Sequence, residues 1–193
     1  MVYQATDSGV LTADEFLWHP AAKQRTELVR GHIQFMTPVG LAHGLVGATV
    51  LRLLSTHVWQ HRLGACFADS TGYALPNLTN TVRAPDASFV RADRLQPMRV
   101  DSGFHKIAPD LAVEVLSPSE RPAEIAEKLA DYRSAGTPLV WVIDPAARTV
   151  MVVSNDGSRV VLRTDEALTG GEVVPRFSCT VGELFDGLAT TEG

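Results

Sequence analysis

Two runs decide the fold: Ala108-Pro109-Asp110-Leu111-Ala112-Val113-Glu114-Val115-Leu116-Ser117-Pro118-Ser119 and, a helix-length gap later, Leu139-Val140-Trp141-Val142-Ile143-Asp144-Pro145. The first run alternates, so Asp110, Ala112, Glu114 and Leu116 share one face of a strand, with Leu111, Val113 and Val115 on the other. A carboxylate at the centre of an otherwise apolar strand is costly unless it is paired, which marks Glu114 as the first site candidate. Between the runs, Pro122 suits the first turn of a helix over 121–135 and Gly136 its end, with Ile125, Leu129 and Tyr132 as the buried stripe. Residues 139–143 are apolar on both faces and belong inside a sheet. Strand, helix and strand in this order imply a parallel pair within a mixed sheet, hence an α/β or α+β fold.

Working outward, Thr12 with Glu15 three residues on forms a capping box for a short helix through Trp18. The run Thr26-Glu27-Leu28-Val29-Arg30-Gly31-His32-Ile33-Gln34-Phe35-Met36 reads as a hairpin turning at Arg30-Gly31. Residues 41–62 follow a helical period, with Leu41, Leu45, Ala48, Leu51 (or Arg52), Leu54 (or Ser55) and Val58 as the expected inward face and Gly64 as the expected cap. Short strands are expected over 65–69 and 73–75, and a longer one over 83–90 with Asp86 and Ser88 on one face. Residues 91–106 form the most basic loop of the chain, carrying Arg91, Arg94, Arg99, His105 and Lys106. Residues 149–153 and 159–163 pair as a C-terminal β-hairpin around Asn155-Asp156-Gly157, and the tail beyond Gly170 ends in a short helix over 181–188. Residues 1–10 carry no pattern and are expected to be disordered, 11–188 read as one domain, and 189–193 as a tail.

The 193 residues are 45% hydrophobic and 20% charged, an ordinary globular profile long enough for a real core. The net charge of −5 argues against tight non-specific binding to nucleic acid while leaving room for a local basic surface. Cys66 and Cys179 match no zinc or redox spacing, and the N-terminus lacks a charged region followed by an apolar stretch. Arg52 and His57 interrupt the longest apolar run, well short of the roughly 18 residues a membrane span needs. The expectation is a soluble, cytoplasmic protein with reduced thiols and no membrane partner.

Asp86 and Glu114 converge if their strands are neighbours in register, and two carboxylates can then share a divalent cation. Mg²⁺ suits such a site, with Mn²⁺ as a substitute, because it takes hard oxygen ligands and keeps several waters. At about 100° per residue, Lys128 lies roughly 70° from the centre of its helix's buried stripe. From there its stem can run along the sheet and bring its ammonium near Glu114. Two metal-binding carboxylates and an ammonium meet the needs of phosphodiester hydrolysis. Plainer readings stand beside these. Asp86 after Pro85 also reads as strand entry, Glu114 and Lys128 as a structural ion pair, and Lys128 as the surface partner of Glu124 one turn earlier. His43 opens the long helix, where a cap or packing role is the ordinary one. His57 and His61 are one turn apart without a third ligand. Asp110 reads as strand entry, Asp144 as strand exit, and Ser70, Ser88 and Ser117 lack a nucleophile-elbow context.

In chain order stand Leu11-Thr12-Ala13-Asp14-Glu15-Phe16, Glu27-Leu28-Val29-Arg30-Gly31, His43, Ala84-Pro85-Asp86-Ala87-Ser88-Phe89-Val90, the 108–119 run, Glu127-Lys128-Leu129 with Tyr132 and Gly136, and Val140-Trp141-Val142-Ile143-Asp144-Pro145. Together they resemble the Uma2 family, also called DUF820, of the PD-(D/E)XK restriction-endonuclease-like superfamily. The resemblance covers about residues 11–188 and implies a restriction-endonuclease-like mixed β-sheet core flanked by helices, with a metal site at its centre. It implies that Asp86 is the superfamily's metal-binding aspartate and Glu114 the acidic member of the (D/E)XK motif. Leu116 stands where that motif expects lysine, and the role passes to Lys128 on the following helix. Glu27 is implied as part of the metal shell or its support, and His43 as approaching from the long helix. Arg30 and His32 depart from the family's hairpin, where acids stand. The expected function is a Mg²⁺-dependent endonuclease acting on nucleic acid, DNA first, with Asp86, Glu114, Lys128, Glu27 and His43 as its site and the 91–106 loop touching phosphates. The alternative is a nuclease-fold module that binds nucleic acid or a protein partner without cleaving. A homodimer would suit a nuclease acting on both strands, but no residue pattern marks an interface.

Overall fold

The computed structural model describes residues 9–95, 103–118 and 120–189. The N-terminal disorder, the end of the tail and the middle of the basic loop, Arg99 included, are expectations that fall outside these residues.

Thr12 caps helix α1 (Ala13–Trp18) through the expected capping box with Glu15. Strands β1 (Thr26–Val29) and β2 (His32–Phe35) pair around Arg30 and Gly31, whose φ angles of 50° and 83° supply the left-handed turn that a two-residue hairpin requires. There follow α2 (Leu41–His61), β3 (Gly64–Ala68), β4 (Tyr73–Ala74), β5 (Val82–Arg83), β6 (Ala87–Arg91), β7 (Leu111–Val115), α3 (Pro122–Ala135), β8 (Leu139–Asp144), β9 (Thr149–Ser154), β10 (Arg159–Leu162), β11 (Ala167–Gly170) and β12 (Val174–Thr180), then a 3₁₀ turn at Val181–Phe185.

The central sheet has six strands in the order β10-β9-β8-β7-β6-β3. Only β7 and β8 are parallel, and α3 makes the crossover that a parallel pair needs. A smaller sheet runs β2-β1-β5-β4, and β11 and β12 form a hairpin of their own. This is the expected mixed sheet flanked by helices. On one face α2 packs Val46, Val50, Leu54 and Val58 over Phe89, Val113 and Trp141, and Leu184 and Phe185 of the C-terminal turn close that layer. On the other face α3 lays Ile125, Leu129 and Tyr132 over Ala112, Val140 and Val142. Strand alternation puts Glu114 on the same face as Ala112, toward α3. Among the described residues no helix is long and apolar enough to cross a membrane.

Four local expectations need correction. Helix α2 turns His43, Val46, Val50, Leu54 and Val58 inward, while Leu41 is 95% exposed. The helix is apolar around most of its circumference, so several faces satisfy the period and packing onto the sheet selects one. Its cap is Arg62, at φ 54°, whereas Gly64 opens β3, where a Cβ would lie 2.1 Å from the Val90 carbonyl oxygen. The strand expected over 83–90 breaks at Ala84-Pro85-Asp86, because Pro85 has no N–H to give a ladder; β5 joins the small sheet and β6 the central one. The tail beyond Gly170 contains β12, paired with β11, and ends in a 3₁₀ turn rather than a helix over 181–188.

Candidate active site

The break at 84–86 places Asp86 immediately before β6. Strands β6 and β7 run antiparallel with Ala87 opposite Val113, so one further step sets Asp86 beside Glu114. The Val115 amide donates to Asp86 Oδ2 at 2.7 Å. From the first turn of α2, His43 brings Nε2 within 3.2 Å of the same oxygen, and Arg25 Nη2 stands 3.9 Å from Oδ1. Burial favours the neutral imidazole, but the Asp86 carboxylate outweighs it and holds the His43 pKa above its ordinary value.

Glu114 is 3% exposed, and each of its oxygens has a donor. Lys128 Nζ lies 2.6 Å from Oε2, and the Tyr132 hydroxyl donates to Oε1 at 2.6 Å. Lysine and tyrosine are one turn apart on α3, so both reach across to β7 from the same side. Burial pushes the Glu114 pKa up to about 7; Lys128 opposes the rise, and Asp86 and Glu27 add to it. Burial also disfavours the Lys128 ammonium, but Glu114 and Glu27 outweigh that and hold it charged beyond the usual lysine range. Lys128 has a second carboxylate, Glu120 Oε1, at 3.5 Å. The plainer pairing with Glu124 is not made, because Arg121 holds that side chain.

Glu27 belongs to a separate network. Arg83, 1% exposed, donates to Glu27 Oε2 at 2.7 Å and to Asp131 Oδ2 from Nε at 2.9 Å and Nη2 at 2.6 Å. The Ala84 amide donates to Glu27 Oε1 at 2.8 Å. Glu27 therefore holds the backbone leading to Asp86, and Arg83 fastens that backbone to the helix carrying Lys128. Arg30 reaches Glu127 and Asp131, which accounts for a cation where the family pattern has an acid. Sequence reasoning missed Arg83, Asp131, Glu120 and the hydroxyl of Tyr132. Only Glu127 and Asp131, one turn apart on a half-buried helix, signalled that a cation must meet them.

A cavity of about 340 Å³ opens on this cluster, with Asp86, His43, Lys128, Glu27 and Glu120 in its lining and Phe35 and Met36 on its apolar side. Glu114 is not in the lining, but Lys128, which holds it, is. The start of the basic loop, with Arg91 and Arg94, lies elsewhere. It leaves the far end of β6, about four strand residues or roughly 13 Å from Glu114. There Arg94 pairs with Asp110 at 2.6 Å and Arg91 with Asp93; at the loop's other described end Lys106 stands 3.6 Å from Asp14 of α1. His57 and His61 stack on each other late in α2, and Asp144 caps the turn after β8 through the amides of Ala146 and Ala147.

The model of the Uma2 family, described as a putative restriction endonuclease, matches residues 13–182. The chain belongs to the Uma2 family. A similar solved structure is that of "a putative nuclease belonging to DUF820" from Anabaena variabilis. It has a TM-score of 0.77 and 22% identity, covering 91% of this chain and 97% of that one. Its likeness establishes the fold. No curated protein matches the chain.

Restriction-endonuclease-like families such as Uma2 generally use divalent metal ions. Among the described residues no three His, Cys, Asp or Glu are grouped so as to hold a metal by themselves. Asp86 and Glu114 still fit a Mg²⁺-type ion, which is commonly held by one or two carboxylates, water and substrate phosphate. Each carboxylate oxygen has two lone pairs, so the donors already present leave acceptor capacity on both residues. The upward push of Asp86 and Glu27 on Glu114 marks crowded negative charge, which a divalent cation would relieve.

Proposed function

We propose that this Uma2 chain is a Mg²⁺- or Mn²⁺-dependent endonuclease that hydrolyses phosphodiester bonds of nucleic acid, DNA first. One observation carries the reading: the β6–β7 register draws Asp86 and Glu114 together beside a cavity that Lys128 lines. Asp86 and Glu114 would hold the metal, which would supply Lewis-acid polarisation of the phosphoryl oxygen and activation of the attacking water. Lys128, a fixed ammonium, offsets charge developing on the phosphoryl oxygens and orients the incoming water. His43 steadies Asp86 from α2. Glu27 acts by position, accepting from Arg83 and the Ala84 amide and so holding the backbone that leads to Asp86. The family description and the name of the Anabaena protein support the nuclease class. The test is cleavage of labelled single- and double-stranded DNA and RNA with Mg²⁺ or Mn²⁺. The wild type should cut at least one substrate, and Asp86→Asn and Lys128→Met should each lose about 100-fold or more. Unchanged rates in both variants would rule the reading out.

A second reading, a module that binds nucleic acid or a protein without cutting, is favoured by the closure of Glu114 between Lys128 and Tyr132. Calorimetric titration with Mg²⁺ separates the two. No binding, or binding indifferent to Asp86→Ala, favours the module.

A further inference from the structure

Hydrolysis requires a group to take the proton of the attacking water, and the carboxylates around the cavity differ in what they have free. Glu114 is held by Lys128 and Tyr132, and Glu27 by Arg83 and the Ala84 amide. Asp86 is held on Oδ2 by the Val115 amide and His43, and its more open Oδ1 is the oxygen assigned to the metal. Glu124 and Glu127 answer Arg121 and Arg30. Lys128, held as an ammonium, has no lone pair to offer. Glu120 is different. The Ser117 amide anchors its Oε2 at 2.9 Å and so fixes the carboxylate, while the Lys128 ammonium stands 3.5 Å from Oε1, beyond an ordinary charge-assisted hydrogen bond. Its side chain is 21% exposed and lines the cavity. Its charge favours the protonated forms of both His43 and Lys128.

We propose that Glu120 is the general base of the reaction, an assignment that rests on the nuclease reading. The water oxygen bonds to phosphorus as its proton passes to Glu120 Oε1. The bond from phosphorus to the leaving sugar oxygen breaks, and that oxygen takes a proton from solvent. Glu120 then releases its proton to solvent, so one water is consumed and a phosphate monoester and an alcohol are formed. Lys128, 3.5 Å away, orients the same water.

Glu120→Gln and Glu120→Asp, beside Asp86→Asn and the wild type, test the assignment in the full chain. Glu120→Gln should lower kcat by roughly 10²–10⁴-fold, the usual contribution of a general base. KM, thermal midpoint and calorimetric Mg²⁺ affinity should stay near wild type, and the acid limb of the kcat–pH profile should flatten. Glu120→Asp should keep that limb and part of the rate. A Glu120→Gln enzyme with nearly wild-type kcat overturns the assignment. A parallel loss of Mg²⁺ affinity also overturns it, because Glu120 is then a ligand. An active wild type with a dead Asp86→Asn and an unaffected Glu120→Gln removes the base alone. A wild type that cuts nothing removes the nuclease reading as well.

Discussion

Pro85-Asp86 and Pro109-Asp110 open neighbouring antiparallel strands, and at first each aspartate does the same thing. Asp86 Oδ2 accepts the amide of Val115, the last residue of β7, at 2.7 Å; Asp110 Oδ2 accepts the amide of Arg91, the last residue of β6, at 2.8 Å. The pair reflects the local two-fold of an antiparallel ladder. Beyond that the two ends part. Arg94 closes the other oxygen of Asp110 at 2.6 Å and turns its second arm to the Ala108 carbonyl. Among the described residues, Asp86 Oδ1 meets only Arg25, 3.9 Å away, and Asp86 lines the cavity. Asp110, just before β7, and Glu114, within it, are equally buried at 3%. Burial therefore does not single out the site. An acceptor left open beside a cavity does.

The contrast can be broken most sharply at Lys128. Lys128→Met strands a buried carboxylate and should cost about 3–5 kcal/mol in denaturant melts as well as abolishing cleavage. Adding Glu114→Gln should recover much of the stability and none of the activity. The two aspartates come next. Asp86→Asn keeps an acceptor for the Val115 amide, so cleavage should fall about 100-fold or more with a stability change within ~1 kcal/mol. Asp110→Asn should do the reverse, keeping activity and losing about 1–3 kcal/mol as Arg94 loses its charged partner. Equal losses of activity in both variants would erase the distinction between the two ends.

The pH dependence sharpens the same point. Burial sets the Glu114 pKa at about 7 in the fold, above the ordinary glutamate value of 4.5. The folded state binds that proton more tightly, so this group's stabilising contribution is complete below pH 4.5 and is lost as pH rises through about 7. Across that window the stability of wild type relative to Glu114→Gln should fall with rising pH by no more than ~3 kcal/mol, read from urea midpoints. The smallest effect belongs to the corrected face of α2: Leu41→Ser should change stability by less than about 0.5 kcal/mol, because the side chain packs on nothing.

The parallel pair, the capping box, the first hairpin and the stripe of α3 were legible because each rests on a local period or a turn chemistry. Helix geometry left Lys128 able to reach either Glu114 or the surface Glu124, and the family resemblance favoured Glu114. The contact of Lys128 with Glu120 was not legible, since the loop between β7 and α3 has no period to read. Arg83 was hidden because its partners, Glu27 and Asp131, come from two distant elements and meet only after folding. The inward face of α2 was misread because an all-round apolar helix leaves the choice to packing. The basic loop drew attention by composition, yet topology delivers its described arginines to the Asp110 end of the sheet, where they serve structure.

The central claim is that Asp86 and Glu114 jointly hold the metal, and a crystal soaked in Mn²⁺ tests it most directly. The account predicts an anomalous peak between the two carboxylates, within roughly the 2.1 Å typical of Mg²⁺-type coordination to an oxygen of each. A peak bound elsewhere, or none there at a concentration that supports cleavage, would contradict it.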